Sequence, residues 1–266
     1  MSDVADWWAT AIIDMEPGRI AIRGEAIEDL IGQFSFVEMV WLMLRGQRPN
    51  QGQARLLEAA LVASVDHGPQ APSIAAARMA VTCGLGLNGA MGTAVHMLDA
   101  VHGGAGQQLV LLLSELNGEL NQTPELSPEL NQAALTSAVR DYLEQNPYLP
   151  GFGHRFHKPV DPRAPRLMTL VAEAEEAGVV TGRFKQIALG IEAALAEIKG
   201  RPIPMNIAGA TAVIYAELGF APELARGLFC LARSLGAMAH GYEQMQQGGR
   251  NKGPTPPHYR WSYRPE

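Results

Sequence analysis

Apolar residues recur along this chain at helical rather than alternating spacing, first in Ile27-Leu30-Ile31-Phe34, then in Phe36-Val40-Leu44 and through Leu56-Leu57, Ala60-Leu61 and Val62. Side chains three and four positions apart share one face of an α-helix, so this spacing predicts buried helical faces. The turn Arg45-Gly46-Gln47-Arg48-Pro49-Asn50 separates two of these helices, and Gly68-Pro69 with Pro72 ends the next. Leu109 to Leu116 is followed by Asn117-Gly118 and the polar run Gln122 to Glu129. Helical spacing resumes over Ala133 to Leu143, Leu167 to Ala177, Phe184 to Ile198, Ala210 to Leu218 and Leu224 to Met245. Only Gly18 to Arg23, where Ile20 and Ile22 lie between Arg19 and Arg23, has strand-like alternation. The pattern predicts an all-α protein with a short β element near its start.

One apolar stretch carries no formal charge from Met79 to Leu98, long enough to span a bilayer. Thr82, Asn88, Thr93 and His96 interrupt it, and Gly84, Gly86, Gly89 and Gly92 suit close helix packing better than a lipid-facing surface. It reads as a buried helical region, and no membrane partner is expected. The same glycines match the G-x-G-x-x-G pattern of dinucleotide sites. The preceding Ser73 to Val81 is Ala-rich and helical, whereas that fingerprint needs a strand, so helix packing explains them better.

With 266 residues, 47% of them hydrophobic, the chain can bury a substantial core in one large domain or two unequal ones. A net charge of -6 without a lysine-rich tract argues against nucleic acid as a partner. Cys83 and Cys230 stand far apart without metal-ligand spacing, which argues against a disulfide framework or structural zinc and makes both read as small core residues. Met1 to Met15 holds Asp3, Asp6 and Asp14 and no basic cluster ahead of an apolar run, so it is not read as a signal peptide, and a cytoplasmic location is expected. The tail Gly248 to Glu266, rich in Gly, Pro, Arg and aromatics, is expected to lie over the surface or a neighbouring subunit.

The segment Gly151-Phe152-Gly153-His154-Arg155-Phe156-His157-Lys158-Pro159-Val160-Asp161-Pro162-Arg163-Ala164 is chemically the richest. Glycines permit close backbone approach, prolines fix φ, and guanidinium forks match carboxylates, so it reads as an anion-holding site. A metal site from His154 and His157 is disfavoured, because Pro159 breaks the helix that the spacing needs and no H-E-x-x-H carboxylate is present. His102, followed by Gly103-Gly104, could project into a cavity. For it, as for His67, His96 and His240, a core histidine satisfied by backbone is the competing reading. No P-loop, G-x-S-x-G or catalytic cysteine signature occurs.

Separated segments together resemble the citrate synthase family, specifically its short branch with citryl-CoA lyase and the C-terminal part of ATP citrate lyase. They are Arg23-Gly24-Glu25-Ala26-Ile27-Glu28-Asp29-Leu30, Asp66-His67-Gly68-Pro69, Val101-His102-Gly103-Gly104-Ala105, Gly151-Phe152-Gly153-His154-Arg155 with Asp161-Pro162-Arg163-Ala164, Asn206-Ile207-Ala208-Gly209, and Ala232-Arg233-Ser234-Leu235-Gly236 with Ala239-His240. The resemblance runs in order from about Arg23 to Met245. It implies a two-domain helical fold, with residues 1–104 and 214–266, tail included, in a large domain and 105–213 in a small one. The cleft between them would close on the ligand.

What the resemblance implies chemically is carbon-carbon bond making or breaking: a citryl-CoA-like 3-hydroxy-3-carboxyacyl-CoA cleaved to an acyl-CoA and a 2-oxo acid, or the reverse. Its alternatives are a citrate synthase-type condensing enzyme and a non-catalytic acyl-CoA-binding or regulatory protein. His102 would donate to the thioester enolate and His154 to the ketone or alkoxide, while Arg163 and Arg233, assisted by His67, clamp carboxylates. Arg155 and His157 join the substrate-binding set, His157 standing where the family usually has tyrosine. No metal and no tightly bound cofactor are implied, since the coenzyme A thioester is a substrate. A homodimer or dimer-based oligomer is implied, as is a separate acyl-CoA ligase to supply the thioester.

One departure matters most. The family's catalytic aspartate falls on Ala208, and a methyl group cannot take or return a proton; losing acid-base catalysis costs roughly 10²–10⁴ in rate. Either a deliberate Asp-to-Ala change holds a bound ligand unreacted, the reading favoured because the rest of the pocket is retained, or a natural branch has altered chemistry. In the tail, no arginine clearly aligns with the one that reaches a substrate in the partner subunit of citrate synthases. Arg250, Lys252 and Arg260 are the alternatives.

Overall fold

A computed structural model gives the structure of the chain and describes residues 4–121 and 128–265, so most of the polar run Gln122 to Glu129 lies outside the described residues. By its contacts the chain divides into Met1–Glu58 and Ala59–Glu266. This partition is drawn differently from the two-domain one expected from the resemblance.

The first unit opens with α1 (Val4–Trp7) and an antiparallel sheet of order β1-β2-β3: β1 (Ile13–Glu16), β2 (Arg19–Ile22) and β3 (Glu25–Ala26). The sheet is larger than the single strand expected. Two tight turns make it: Pro17-Gly18 with Gly18 at φ 80°, and Arg23-Gly24 with both residues at positive φ, 53° and 86°. Positive φ at both central residues gives the hairpin twist that matches paired strands. Arg23 is held there by donating to the Met43 carbonyl through Nε (3.2 Å) and Nη2 (2.8 Å). The helix expected from Ile27 to Phe34 lasts one turn, α2 (Ile27–Leu30), before Gly32 turns the chain at φ 82°. α3 (Phe36–Arg45) starts with a Ser35/Glu38 capping box and stops at left-handed Gly46. α4 (Gln51–Ser64) runs across the division into the second unit.

The second unit holds α5 (Pro72–Thr82), α6 (Leu87–His96), α7 (Ala105–Asn121), α8 (Pro128–Gln145), α9 (Arg163–Glu176), α10 (Arg183–Lys199), α11 (Ile207–Glu217) and α12 (Pro222–Gln247). α11 is apolar on every side and buried from Gly209 to Ala216, as a helix must be when other helices surround it. α7, α9 and α10 pack against it, and α12 packs on α5, α6 and α7. Small residues let α5, α6 and α12 approach closely around Ile74, Ala77, Ala90, Ala94 and Ala237. The uncharged stretch from Met79 to Leu98 is therefore two helices rather than one region, broken at Cys83–Gly86 where Gly84 takes φ 97°. Only Thr82, Ala90, Ala94 and Leu98 of it are buried, which corrects the reading of a buried region. Cys83 caps α5 in an exposed position, and Cys230 is half-buried, which corrects the reading of both as core residues. The glycines of the G-x-G-x-x-G match follow a helix, not a strand. Among the described residues no helix is long and apolar enough to cross a membrane. The architecture is helical with one small sheet, the fold class expected.

Candidate active site

The segment from Gly151 to His154 is seated on the N-terminus of α11. Asn206 N–H donates to the Gly151 carbonyl (2.9 Å), and Gly153 N–H donates to the Pro204 carbonyl (2.8 Å). Asn206 caps α11: its Oδ1 accepts from Ala208 N–H (2.9 Å) and Gly209 N–H (3.2 Å), while its Nδ2 donates to the Gly153 carbonyl (2.7 Å). One side chain thus fixes the helix start and the backbone next to His154. The approach requires glycine on both sides. A Cβ at Gly209 would lie 2.3 Å from the Gly151 carbonyl oxygen, and one at Gly151, whose φ is 84°, would lie 2.8 Å from the Gly209 Cα.

His154 Nδ1 accepts from the backbone N–H groups of Phe156 and His157, each at 3.0 Å. Two donors on Nδ1 leave no room for a proton there, so the neutral ring carries its proton on Nε2. Burial holds His154 below the ordinary imidazole value, and the nearby His157 adds to the effect. His102 has the opposite arrangement. Its Nε2 accepts from Ser73 N–H in the first turn of α5 (3.2 Å), with Ser73 Oγ at 3.0 Å, which assigns the proton to Nδ1. Burial, then the positive charge of Arg233, holds His102 below its ordinary value. The turn that presents it needs Gly104, where a Cβ would lie 2.4 Å from the Ala100 carbonyl oxygen.

His67 sits on the Asp66–Pro69 turn with its ring edge-on to His154, centroids 5.1 Å apart, and His157 stacks obliquely on His154 at 4.6 Å. Burial, then Arg163, holds His67 below its ordinary value. Asp66 Oδ2 accepts from Gly68 N–H (2.9 Å) and pairs with His240 Nε2 (3.3 Å), whose Nδ1 lies 3.2 Å from Arg78. Asp161, fully buried, receives Arg163 Nε (3.0 Å), Arg163 Nη2 (2.9 Å), Arg163 N–H (3.2 Å) and Ile207 N–H (3.0 Å). Burial alone would raise its pKa, but these donors outweigh burial and hold the carboxyl below the usual range. Arg233, also buried, donates to the Ser64 carbonyl (3.1 Å) and lies over the Phe229 ring at 4.8 Å.

A cavity of about 650 Å³ is lined by His67, His102, His154, Arg155 and Asn206, so four of the residues singled out from the sequence share one space. An adjoining cavity of about 430 Å³ shares Gly153 and His154 and adds His157, Lys158 and Arg201. Arg163, Arg233 and Ala208 stand behind the lining: Arg163 is engaged with Asp161, Arg233 is enclosed, and Ala208 lies half-buried in the first turn of α11. Ser73 and Arg201 were not singled out from the sequence, and Lys158 was read only as part of the anion-holding segment. Ser73 could have been found from Pro72, which marks a helix start whose free N–H groups seek an acceptor. Among the described residues no group of three or more His, Cys, Asp or Glu side chains could hold a metal ion.

The pattern of the citrate synthase C-terminal domain family matches residues 43–265, most of the chain. The chain belongs to the citrate synthase family. The citrate synthase of Haloferax volcanii is 30% identical to this family member over 207 residues, 77% of this chain and 50% of that protein. The glyoxysomal citrate synthase of Cucurbita maxima is 31% identical over 208 residues, 76% of this chain and 37% of that one. The chain thus spans about half the length, or less, of these curated relatives. In structure it is similar to the citryl-CoA lyase from Hydrogenobacter thermophilus, with a TM-score of 0.83 at 29% identity, covering 97% of this chain and 95% of that one.

Proposed function

We propose that this citrate synthase family member binds a coenzyme A thioester and a 2-oxo acid in the larger cavity and is built to make or break the carbon-carbon bond between them, as a citryl-CoA lyase does. The observation that carries the reading is the pair of neutral imidazoles on one cavity, with protons assigned to opposite nitrogens by backbone donors. His102 Nδ1–H hydrogen-bonds the thioester oxygen as it becomes an enolate, and His154 Nε2–H does the same for the ketone oxygen as it becomes an alkoxide. Neutral donors aimed at developing charge in a half-closed pocket stabilise the transition state without reorganising. Arg155 and His67 face the carboxylates of the oxo acid, and Arg163 and Arg233 set the positive field behind them. Lys158 and Arg201 in the adjoining cavity suit the phosphates of coenzyme A, with His157 between the two compartments.

In this reading 1–104 with 214–266 and 105–213 move as two bodies, with His102 and Ala208 near the two crossings. The functional unit is a homodimer. Leu231, Leu235, Met238, Tyr242 and Met245 support it: they repeat every three or four residues along α12 and are 39–55% exposed, an apolar stripe suited to a second copy. Leu235→Asp should shift sedimentation toward the monomer. A separate ligase supplies the thioester, and the protein works in the cytoplasm.

Ala208 leaves the α-proton step without its carboxylate, which favours a second reading as an acyl-CoA binder that does not turn over. One experiment separates them. The Ala208→Asp protein, given citryl-CoA, should release acetyl-CoA and oxaloacetate at least about 100-fold faster than the unaltered chain. Binding of several such thioesters without cleavage by either protein would leave only the binder.

A further inference from the structure

An enolate beside a thioester is ordinarily made by a base that removes an α-proton. Among the described residues that line the larger cavity, none is aspartate or glutamate, and the first turn of α11 carries no acidic residue, with the methyl of Ala208 at the position expected for the base. Asp161, in the turn that bears Arg163, is filled by donors, and Asp66, beside His67, is engaged through Oδ2 with its Oδ1 buried; neither lines the cavity, and both are held below the usual carboxyl range. The imidazoles of His102 and His154 do not substitute, because Nε2 of His102 and Nδ1 of His154 already accept hydrogen bonds and the other nitrogens carry the protons; the third, His67, lies against His154, on the side given above to the oxo acid. The cavity therefore offers two donors for developing oxyanions, one guanidinium from Arg155, and no carboxylate to take a proton from a thioester held at His102. Such a pocket can still produce an enolate if a carbon-carbon bond of the substrate releases the electrons.

We propose that the chain as it stands catalyses decarboxylative condensation of a 2-carboxyacyl-CoA, a thioester of the malonyl type, with a 2-oxo acid; this rests on the thioester and oxo-acid site proposed above. The bond between C2 and its carboxylate breaks and carbon dioxide leaves. Its electron pair enters the thioester as an enolate whose oxygen is held by His102 Nδ1–H. C2 then bonds to the ketone carbon of the oxo acid, and the resulting alkoxide, held by His154 Nε2–H, takes a proton from water. The sum is one thioester, one oxo acid and one proton in, and one 3-hydroxy-3-carboxyacyl-CoA and one carbon dioxide out, with no redox partner. Ala71 and Pro72, next to the Ser73 that holds His102, give the departing carboxylate an apolar wall, which favours its loss as neutral carbon dioxide.

The test uses the full chain with carboxyl-labelled malonyl-CoA and oxaloacetate, following labelled carbon dioxide and the adduct by mass spectrometry, with acetyl-CoA in parallel and thioester binding measured by calorimetry. One adduct per carbon dioxide is expected from malonyl-CoA, and none from acetyl-CoA although it binds. His102→Ala should lower the rate by roughly 10²–10³, as removal of an oxyanion donor does. Should that variant unfold, His102→Gln, which keeps a donor, decides the point by retaining an intermediate rate. If acetyl-CoA binds and Ala208→Asp condenses it while the unaltered chain releases no carbon dioxide, this inference is overturned and the proposed site survives. Equal turnover of acetyl-CoA and malonyl-CoA by the unaltered chain also overturns it, since a base must then be present. If no thioester binds, both fail together.

Discussion

Asp161 and Asp66 each fold a short turn that carries site residues, yet the two turns are finished to different degrees. Asp161 is buried, and four donors from Arg163 and Ile207 fill its oxygens, so the His154 segment, the Arg163 helix and the start of α11 are tied at one point. Asp66 uses Oδ2 for Gly68 and His240, while its buried Oδ1 finds no hydrogen-bond partner of good geometry. A filled carboxylate in a low-dielectric interior fixes geometry; a half-filled one leaves its turn free to adjust. The contrast teaches which side of the cavity is a fixed frame, the His154 side, and which is adaptable, the His67 side.

The hardest blow to this contrast is Asp161→Ala. Removing one partner of a buried pair strands the guanidinium and the Ile207 N–H, so the unfolding free energy should fall by about 3–5 kcal/mol in urea titration. A loss below about 1 kcal/mol would remove the fixed frame. A pH series sharpens the contrast at intermediate size. His67, His102 and His154 all lie below the ordinary imidazole value of 6.5 when folded. As pH drops below that value the unfolded chain takes up protons that the folded chain refuses, so stability is full above it and declines toward the lowered folded pKa values. The urea midpoint should therefore fall between about pH 7.5 and pH 5.5, and His67→Gln with His154→Gln should flatten the decline. The smallest effect is expected from Asp66→Asn. It keeps the acceptor for Gly68 and loses only a partly exposed pair with His240, so a change within about 1 kcal/mol is expected by the same titration.

Much of the helical frame was legible in the sequence because burying one face of a helix imposes a spacing that residues such as Leu167 to Ala177 and Phe184 to Ile198 display openly. The first strand was not: Ile13 and Met15 alternate with Asp14 and Glu16 over only four residues, all of them exposed, and the pairing with β2 comes from turn backbone at Gly18. The break at Cys83 was missed for a related reason: absence of charge from Met79 to Leu98 reports neither continuity nor burial, and only Thr82, Ala90, Ala94 and Leu98 of that stretch are buried. For the site, composition alone left His102 between a core histidine satisfied by backbone and a residue facing a cavity. The fold joins the two readings, with one nitrogen satisfied by Ser73 while the residue lines the cavity. That contact spans 29 positions, and no local pattern announces it. The Asp66-His240-Arg78 chain was equally silent, because α12 alone brings its members together.

α5 touches this chemistry at one end and the tail at the other. Ser73 at its start holds His102, and Thr82 at its close receives Asn251 N–H on its carbonyl (2.7 Å) and Lys252 N–H on its hydroxyl (3.0 Å). A helix rises about 1.5 Å per residue, so the two anchor points stand about 13 Å apart on a single stiff rod. A partner that grips the exposed residues beyond Lys252 would load that rod lengthwise, and the imidazole at its far tip would register the pull.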